Sequence, residues 1–558
     1  MKKCIFAIVL FLTANILSAK PYMRINPFSF PHSNSYSLSY TMLDYNNLAA
    51  YFGTSGTFNT NPYLQNGPGL YWPKGSGLTA CFTAGFSIAA KINGQIAETM
   101  SSYRGEFTAG YIVNGHAVTN DDFKFYSVKY GDNIYNNPDY VNWYKMVPYG
   151  APFVDENHNG KYDQGIDKPG LSYASQTIFA CLTDGFAWSH SGGEGFGGGV
   201  TGPLLMSEVH LTAFTYDAPG MDDIQYIKWE VFNKGAYRWD STYFAVIADV
   251  DLGYGYDDYI GCDTTRNLGY CYNGSDSDVY YGTHPPAFGM RILRGPIDSA
   301  HNSDTLMLTS FTHFIGPMSG WIWCESDPNG EPDPAYNFLR GFKKDGTPFL
   351  NPTIPLGQGS RKTKFVFPGD PETNAGWTMI KGTMNNCGGD TIGVLDTLGP
   401  GDLRYTMASG SDSLTVYPGQ KQTIYISQLI ARGSSNLNSV TRLKRLSDLA
   451  NWIFRNFINN EEVTVINPVL PDKFSLSQNY PNPFNPVTNI KYQIPFETYV
   501  DISLYDVSGR LIKKLVSENK PAGFYEMTFD ASGLASGIYF YMINASYFTD
   551  SKKMAVVK

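Results

Sequence analysis

Charge is scarce in this chain: only 16% of its 558 residues are Asp, Glu, Lys or Arg, and they sum to −9. An acid surplus without a basic face cannot neutralise a phosphate backbone, which excludes a nucleic-acid partner. Low charge combined with 56 glycines and 33 prolines also excludes coiled coils and long helical bundles. Beyond the first twenty residues no apolar run approaches the ~18–20 needed for a spanning helix, so no transmembrane segment is expected in the mature chain. Cysteine is sparse, with seven residues and no CxxC, CxxCH or paired-cysteine zinc spacing, which removes redox-motif, haem-attachment and zinc-ribbon readings. HExxH, GxSxG and GxxxxGK[ST] are missing as well, and with them zincin, serine-hydrolase and phosphate-loop chemistry.

What is abundant is aromatic: 40 Tyr, 35 Phe and 9 Trp, set among turn formers, a profile of turn-rich β architecture. Ile224–Phe232 (IQYIKWEVF) alternates, with Ile227, Trp229 and Val231 opposing Lys228 and Glu230. Ser241–Ala248 gives a second strand, and Glu208–Tyr216, Leu306–Phe314 and Lys421–Ala431 give three more. One helix is expected over Ser439–Phe457, where Val440, Leu443, Leu446, Leu449, Ile453 and Phe457 recur at steps of three or four, with Asn438 or Ser439 as cap. The expected fold is mainly β: a multi-domain β-sandwich body with one bracing helix, followed by a C-terminal sandwich. The body divides into a β-rich region, residues 20–203, and a second sandwich region, residues 204–466.

The N-terminus reads as an address. Met1-Lys2-Lys3, an apolar run from Cys4 to Leu12 and a small residue at Ala19 describe a secretory signal peptide over residues 1–19. Its removal takes two lysines and no acid, leaving a mature charge of −11. Six cysteines then remain, facing an oxidising export compartment. Cys262 and Cys271 enclose a short loop and are the candidate disulfide pair; buried free thiols are the alternative.

Two acidic loops suit a hard cation, which takes six to eight oxygens at short range. In the first, Asp155-Glu-Asn-His-Asn-Gly-Lys-Tyr-Asp-Gln-Gly-Ile-Asp167, side-chain oxygens come from Asp155, Asn157, Asn159, Asp163 and Asp167, and a carbonyl from Lys161. Gly160 allows the sharp turn. The loop looks like an EF-hand-type calcium loop set in β structure, with its last acid one residue late and an Asp; a solvated turn is the alternative. The second runs from Asp249 to Asp263 and carries Asp249, Asp251, Asp257, Asp258 and Asp263 with no Lys or Arg. Five acids so close repel one another unless solvated, protonated or bridged. Calcium as a structural ion is the expected cofactor at both loops. The catalytic alternative is a paired-carboxylate centre built from Asp249, Asp251, Asp257 and Asp258 beside Trp229 or Tyr254, which would need a defined separation across a cleft.

Composition changes near the end. Residues 472–558 hold nine Lys/Arg and eight Asp/Glu, while 20–471 carries −12. Prolines crowd the junction, in Asn467-Pro-Val-Leu-Pro471 and Asn479-Tyr-Pro-Asn-Pro-Phe-Asn-Pro486, and fix φ without donating hydrogen bonds; they read as a stiff connector. Residues 467–473 are taken as linker and 474–558 as the last domain. VDISLYDVSG and GIYFYMINA alternate as strands there, and an Ig-like seven-strand β-sandwich of that length folds alone.

The ordered motifs of this tail resemble a known family. Phe474-Ser-Leu-Ser-Gln-Asn-Tyr-Pro-Asn-Pro-Phe-Asn-Pro-Val-Thr-Asn489, Val500-Asp-Ile-Ser-Leu-Tyr-Asp-Val-Ser-Gly-Arg510, Phe529-Asp-Ala-Ser-Gly-Leu-Ala-Ser-Gly-Ile-Tyr539 and the ending Lys552-Lys-Met-Ala-Val-Val-Lys558 are similar to the type A C-terminal sorting domain of type IX secretion cargo. The tail is similar also to the Ig-like module of flagellar hook-capping proteins, and the body resembles exported proteins of no described activity that carry this tail. The resemblance implies export of a folded protein, via the periplasm, to the surface or surroundings of a Gram-negative bacterium. It implies the type IX machinery as partner through residues 474–558, with the tail removed in many members. For the body, the expectation is a calcium-stabilised binding or structural β protein with a glycan or protein ligand. A secreted hydrolase of polysaccharide or protein is the alternative.

Overall fold

The computed structural model describes residues 38–459 and 473–558, except 65–66, 191–194, 198–201, 299–304, 317–321, 391, 398, 495–497, 521–522 and 547. The expected signal peptide and all but the last residue of the expected linker lie outside the described residues.

The body is built on two antiparallel sheets. A ten-stranded sheet is centred on Ser310–Ile315, Leu403–Gly410, Asp240–Asp249 and Thr83–Ile92, in that order. A nine-stranded sheet runs through Gln176–Thr183, Ser207–Thr215, Ile224–Asn233, Lys421–Ala431, Ala287–Arg294, Leu268–Asn273 and Asp258–Asp263. Strands from both sides of residue 203 enter both sheets: Thr83–Ile92 pairs with Asp240–Asp249, and Gln176–Thr183 with Ser207–Thr215. Residues 20–203 and 204–466 therefore share both sheets and do not build one each.

The sheets meet through aromatic rings. Phe86 of the first lies flat on Trp229 of the second, centroids 4.5 Å apart, and Phe58 packs beside it at 6.0 Å. Asn59 donates across the same gap to Gln428 at 2.9 Å, and Gln428 in turn to Gln225 at 2.8 Å, so a relay of buried amides links the two sheets. The alternation of Ile224–Phe232 correctly aims Ile227, Trp229 and Val231 inward. The opposite face is covered too, because Ile224 and Tyr226 lie under the helix Asn436–Ile453.

That helix is the expected brace, begun three residues earlier than its periodicity indicates. Ser435 is the N-cap, its hydroxyl accepting the Asn438 N–H at 3.0 Å. Its buried stripe runs Val440, Leu443, Ser447, Ala450 and Phe454, while Leu449 and Phe457 face solvent. Small residues at 447 and 450 let the backbone approach closely enough for Tyr226 to donate to the Ala450 carbonyl at 3.3 Å. Arg291 adds bonds to the Ser447 carbonyl and Asp448.

The tail is a seven-strand antiparallel sandwich. Ser475–Leu476, Val487–Ile494 and Gly523–Asp530 form one sheet; Leu511–Lys520, Thr498–Asp506, Gly537–Ala545 and Phe548–Val556 form the other. Its core runs from Phe474 to Val556 and includes Ile490, Ile502, Leu504, Tyr541 and Ile543. Here the proline-rich run departs from expectation: Asn479–Pro486 is not a free connector but part of the sandwich. Tyr541 accepts the Asn479 N–H and donates to the Ser477 carbonyl, both at 2.7 Å. Asn482 exchanges bonds with Ala555 N–H and Lys553 O, and buried Phe484 joins the last strand through the Ala555 carbonyl. The prolines leave few N–H groups to satisfy, and side-chain amides supply the rest.

Candidate functional site

The first acidic loop closes the two-stranded ladder of Phe153–Val154 with Lys168–Pro169. Its side chains turn inward. Asp155 accepts the N–H groups of Asn159 and Gly160, at 3.2 and 2.7 Å. Asp163 accepts both the Asn157 and Asn159 amides, at 2.7 and 2.5 Å, which hold its carboxyl below the usual range. Asp167, buried, accepts from Glu156 and Asp163 N–H. Gly160 sits at φ +75° as the turn requires. Lys161 donates its N–H to Asn159. The oxygens thus converge, but here they are engaged by the loop's own amides.

The second loop gathers more charge. Asp249 ends its strand directly opposite Arg404, and the carboxylates of Asp249, Asp251 and Asp402 come within 4.8 Å of one another. The Tyr103 hydroxyl donates to Asp249 at 2.7 Å. The Arg404 guanidinium reaches Asp249 at 3.4 Å and Asp402 at 3.0 Å and donates to the Tyr103 oxygen. One buried guanidinium thus pairs with two of the three carboxylates. Burial first, then the charges of Asp249 and Asp402, push the Asp251 carboxyl well above its ordinary range.

A second node adjoins the first. Asp258 is fully buried and accepts the Leu252 N–H at 2.9 Å; its carboxyl also meets the Cys271 thiol. Burial drives its pKa well up. Asp257, half-buried, is bound to the Asn273 amide at 2.8 Å, and burial and the Asp278 charge raise its pKa. Asp278 accepts the N–H groups of Tyr254 and Tyr280. Glycines make this packing feasible: a Cβ on Gly253 would lie 2.4 Å from Asp278 and one on Gly255 2.2 Å from Asp251. Asp263 stands apart. Though half-buried, it bonds Thr265 and Arg266 and keeps a lowered pKa.

Trp229 cannot flank a substrate, because it lies in the inter-sheet core, and Asp258 is equally closed to solvent. Of the groups in the hydrolase alternative, Tyr254 is exposed and Asp251 and Asp257 are partly so. Tyr103, Asp278, Asp402 and Arg404 escape sequence reasoning, because Tyr103 and Arg404 lie 301 residues apart and no local spacing joins them.

The cysteine expectation is corrected. Cys262 and Cys271 are free, buried thiols, and the disulfide joins Cys324 to Cys387 across 63 residues, with Cα atoms 5.6 Å apart. Hairpin register explains the first point. Cys262 stands opposite Gly269 and Cys271 opposite Ile260, two rungs apart. Their thiols turn to different carbonyls, of Val366 and Val250.

Residues 478–557 match the family model of the secretion system C-terminal sorting domain. The chain therefore carries a domain that directs export. No curated protein matches the chain. Among solved structures, the adhesin domain of Epf from Streptococcus pyogenes aligns at 10% identity over 66% of this chain and 92% of its own. PorZ, a surface component of the type-IX secretion system of Porphyromonas gingivalis, aligns at 9% identity over 92% of this chain and 74% of its own. Both have a TM-score of 0.13, so neither bears on fold or function. Among the described residues, no helix is long and apolar enough to cross a membrane.

Proposed function

We propose that this chain is cargo of a type IX secretion pathway in a Gram-negative bacterium, with residues 474–558 as the address and the two-sheet body as the delivered module. The observation that carries this reading is the sorting-domain match at 478–557, which falls on a sandwich with a core of its own. Of the motif residues that resemble the family, Asn479, Asn482 and Phe484 lock the tail together, the first through Tyr541 and the other two through the last strand.

The body we read as a binding or structural module stapled by calcium at Asp249, Asp251 and Asp402. Three carboxylates, one buried and two partly so, outnumber the one guanidinium among them, and a hard divalent ion would relieve the excess. Tyr254, Tyr256 and Tyr280 are exposed beside this cluster, ring centroids 5.6 and 6.5 Å apart, and offer stacking faces for a glycan. The test is melting of the full chain in calcium and in excess chelator. An upward shift with calcium, lost in Asp251→Asn, supports the staple; identical curves reject it.

A further inference from the structure

A second group of ligand-bearing side chains lies far from the acidic loops in sequence and differs from them in chemistry. Cys181 and His210 stand directly opposite each other on neighbouring strands of the nine-stranded sheet, and Glu208 is two residues before His210 on the same face. The Cys181 sulfur, a Glu208 oxygen and a His210 ring nitrogen all lie within 4.8 Å of one another, and all three residues are buried. His210 Nε2 and Glu208 Oε1 are 3.1 Å apart, the separation of two adjacent ligands on one small cation.

The surroundings hold these groups in place. Glu208 Oε2 accepts the Ile112 N–H at 2.8 Å, which fixes the carboxylate and turns Oε1 towards His210. The Cys181 thiol rests 3.2 Å from the Gly110 carbonyl. Gly150, at φ +90°, passes so close to the imidazole that a Cβ there would lie 2.3 Å from Nδ1. Phe232 packs against the ring at 4.7 Å. Two features are adverse: burial, then the Glu208 charge, push the Cys181 thiol well up, a cost the metal bond must offset, and the Lys234 ammonium is 3.7 Å from Glu208 Oε1, though its side chain is one-third exposed and has solvent to retreat into.

We propose that Cys181, Glu208 and His210 form a three-ligand site for a divalent transition cation of the zinc type. Sulfur, nitrogen and a single oxygen are the donors that zinc accepts and calcium does not. A thiolate and a carboxylate neutralise a dication, and the imidazole adds a neutral third bond. The inference is independent of the calcium reading, which concerns oxygen-only groups on other strands.

Cobalt(II) is the probe, because a cobalt–thiolate bond has a charge-transfer absorption that oxygen ligands cannot produce. The full chain is titrated with cobalt in excess calcium, which keeps the oxygen-rich loops occupied. One equivalent should bind with that absorption, and zinc should displace it. Cys181→Ser should abolish the band and His210→Ala should weaken binding at least tenfold. Lys234→Ala should tighten it roughly tenfold, as removal of one partly screened like charge does. A folded chain that binds no cobalt, or a band that survives in Cys181→Ser, overturns the proposal. If Cys181→Ser does not fold, X-ray absorption of the zinc-loaded unmodified chain decides: one sulfur neighbour supports the site and none refutes it.

Discussion

At the scale of single residues, the acidic loops show what can and cannot be read from spacing. The crowding of Asp249, Asp251, Asp257 and Asp258 is visible in the sequence; Arg404, which offsets it, is placed there by strand pairing alone. Arg404→Leu leaves Asp249 and Asp402 without their guanidinium, and should cost about 3–5 kcal/mol in denaturant unfolding. The Asp251 and Asp258 carboxyls have raised pKa values, so the folded chain binds protons there that the unfolded chain releases. Their contribution is complete below the unfolded carboxylate value near 4 and is lost as pH rises through the folded values. The metal-free chain should therefore melt higher near pH 5 than at pH 7, and Asp258→Asn should flatten that difference. With calcium bound, Asp251→Asn should instead lower the melting temperature at pH 7, so calorimetry at two pH values with and without the ion separates the two effects. An Asp258→Asn curve indistinguishable from the parent in all four conditions would remove Asp258 from the account.

At the scale of elements, alternation and helical periodicity identified the central strands and the brace, because each buries one regular face. They misplaced two features for physical reasons. Leu449 and Phe457 look like core on a helical wheel, yet the true stripe runs through Ser447 and Ala450, where close approach matters more than apolar bulk. The prolines of 479–486 look like a connector because proline ends regular structure; they nonetheless fold against the final strand through Asn482 and Phe484. Tyr541→Phe removes the acceptor of the buried Asn479 N–H, and should cost the tail about 1–3 kcal/mol in urea unfolding. The disulfide shows the same limit: Cys262 and Cys271 are neighbours in sequence but not in register, whereas Cys324 and Cys387 meet only after 63 residues of chain have folded. Reduction should destabilise the body by about 2–5 kcal/mol. Cys262→Ser and Cys271→Ser should leave the mobility of the non-reduced chain unchanged on denaturing gels, while Cys324→Ser should shift it.

At the scale of the whole molecule, the mainly β character and the seven-strand tail were legible from composition and motif order, since aromatic and glycine richness and the tail's strand–turn pattern are local properties. How the body closes was not, because its two sheets exchange strands between distant segments and only three-dimensional packing brings Phe86 onto Trp229. The division of labour between body and tail rests on the tail's independent core and its sorting-domain match. The most direct measurement compares, in a host with type IX secretion, the fraction of the intact chain found outside the cell with that of a chain ending at Lys473. The account predicts that the shortened chain folds and accumulates in the periplasm while the intact chain reaches the exterior. Equal amounts outside the cell for both would contradict it.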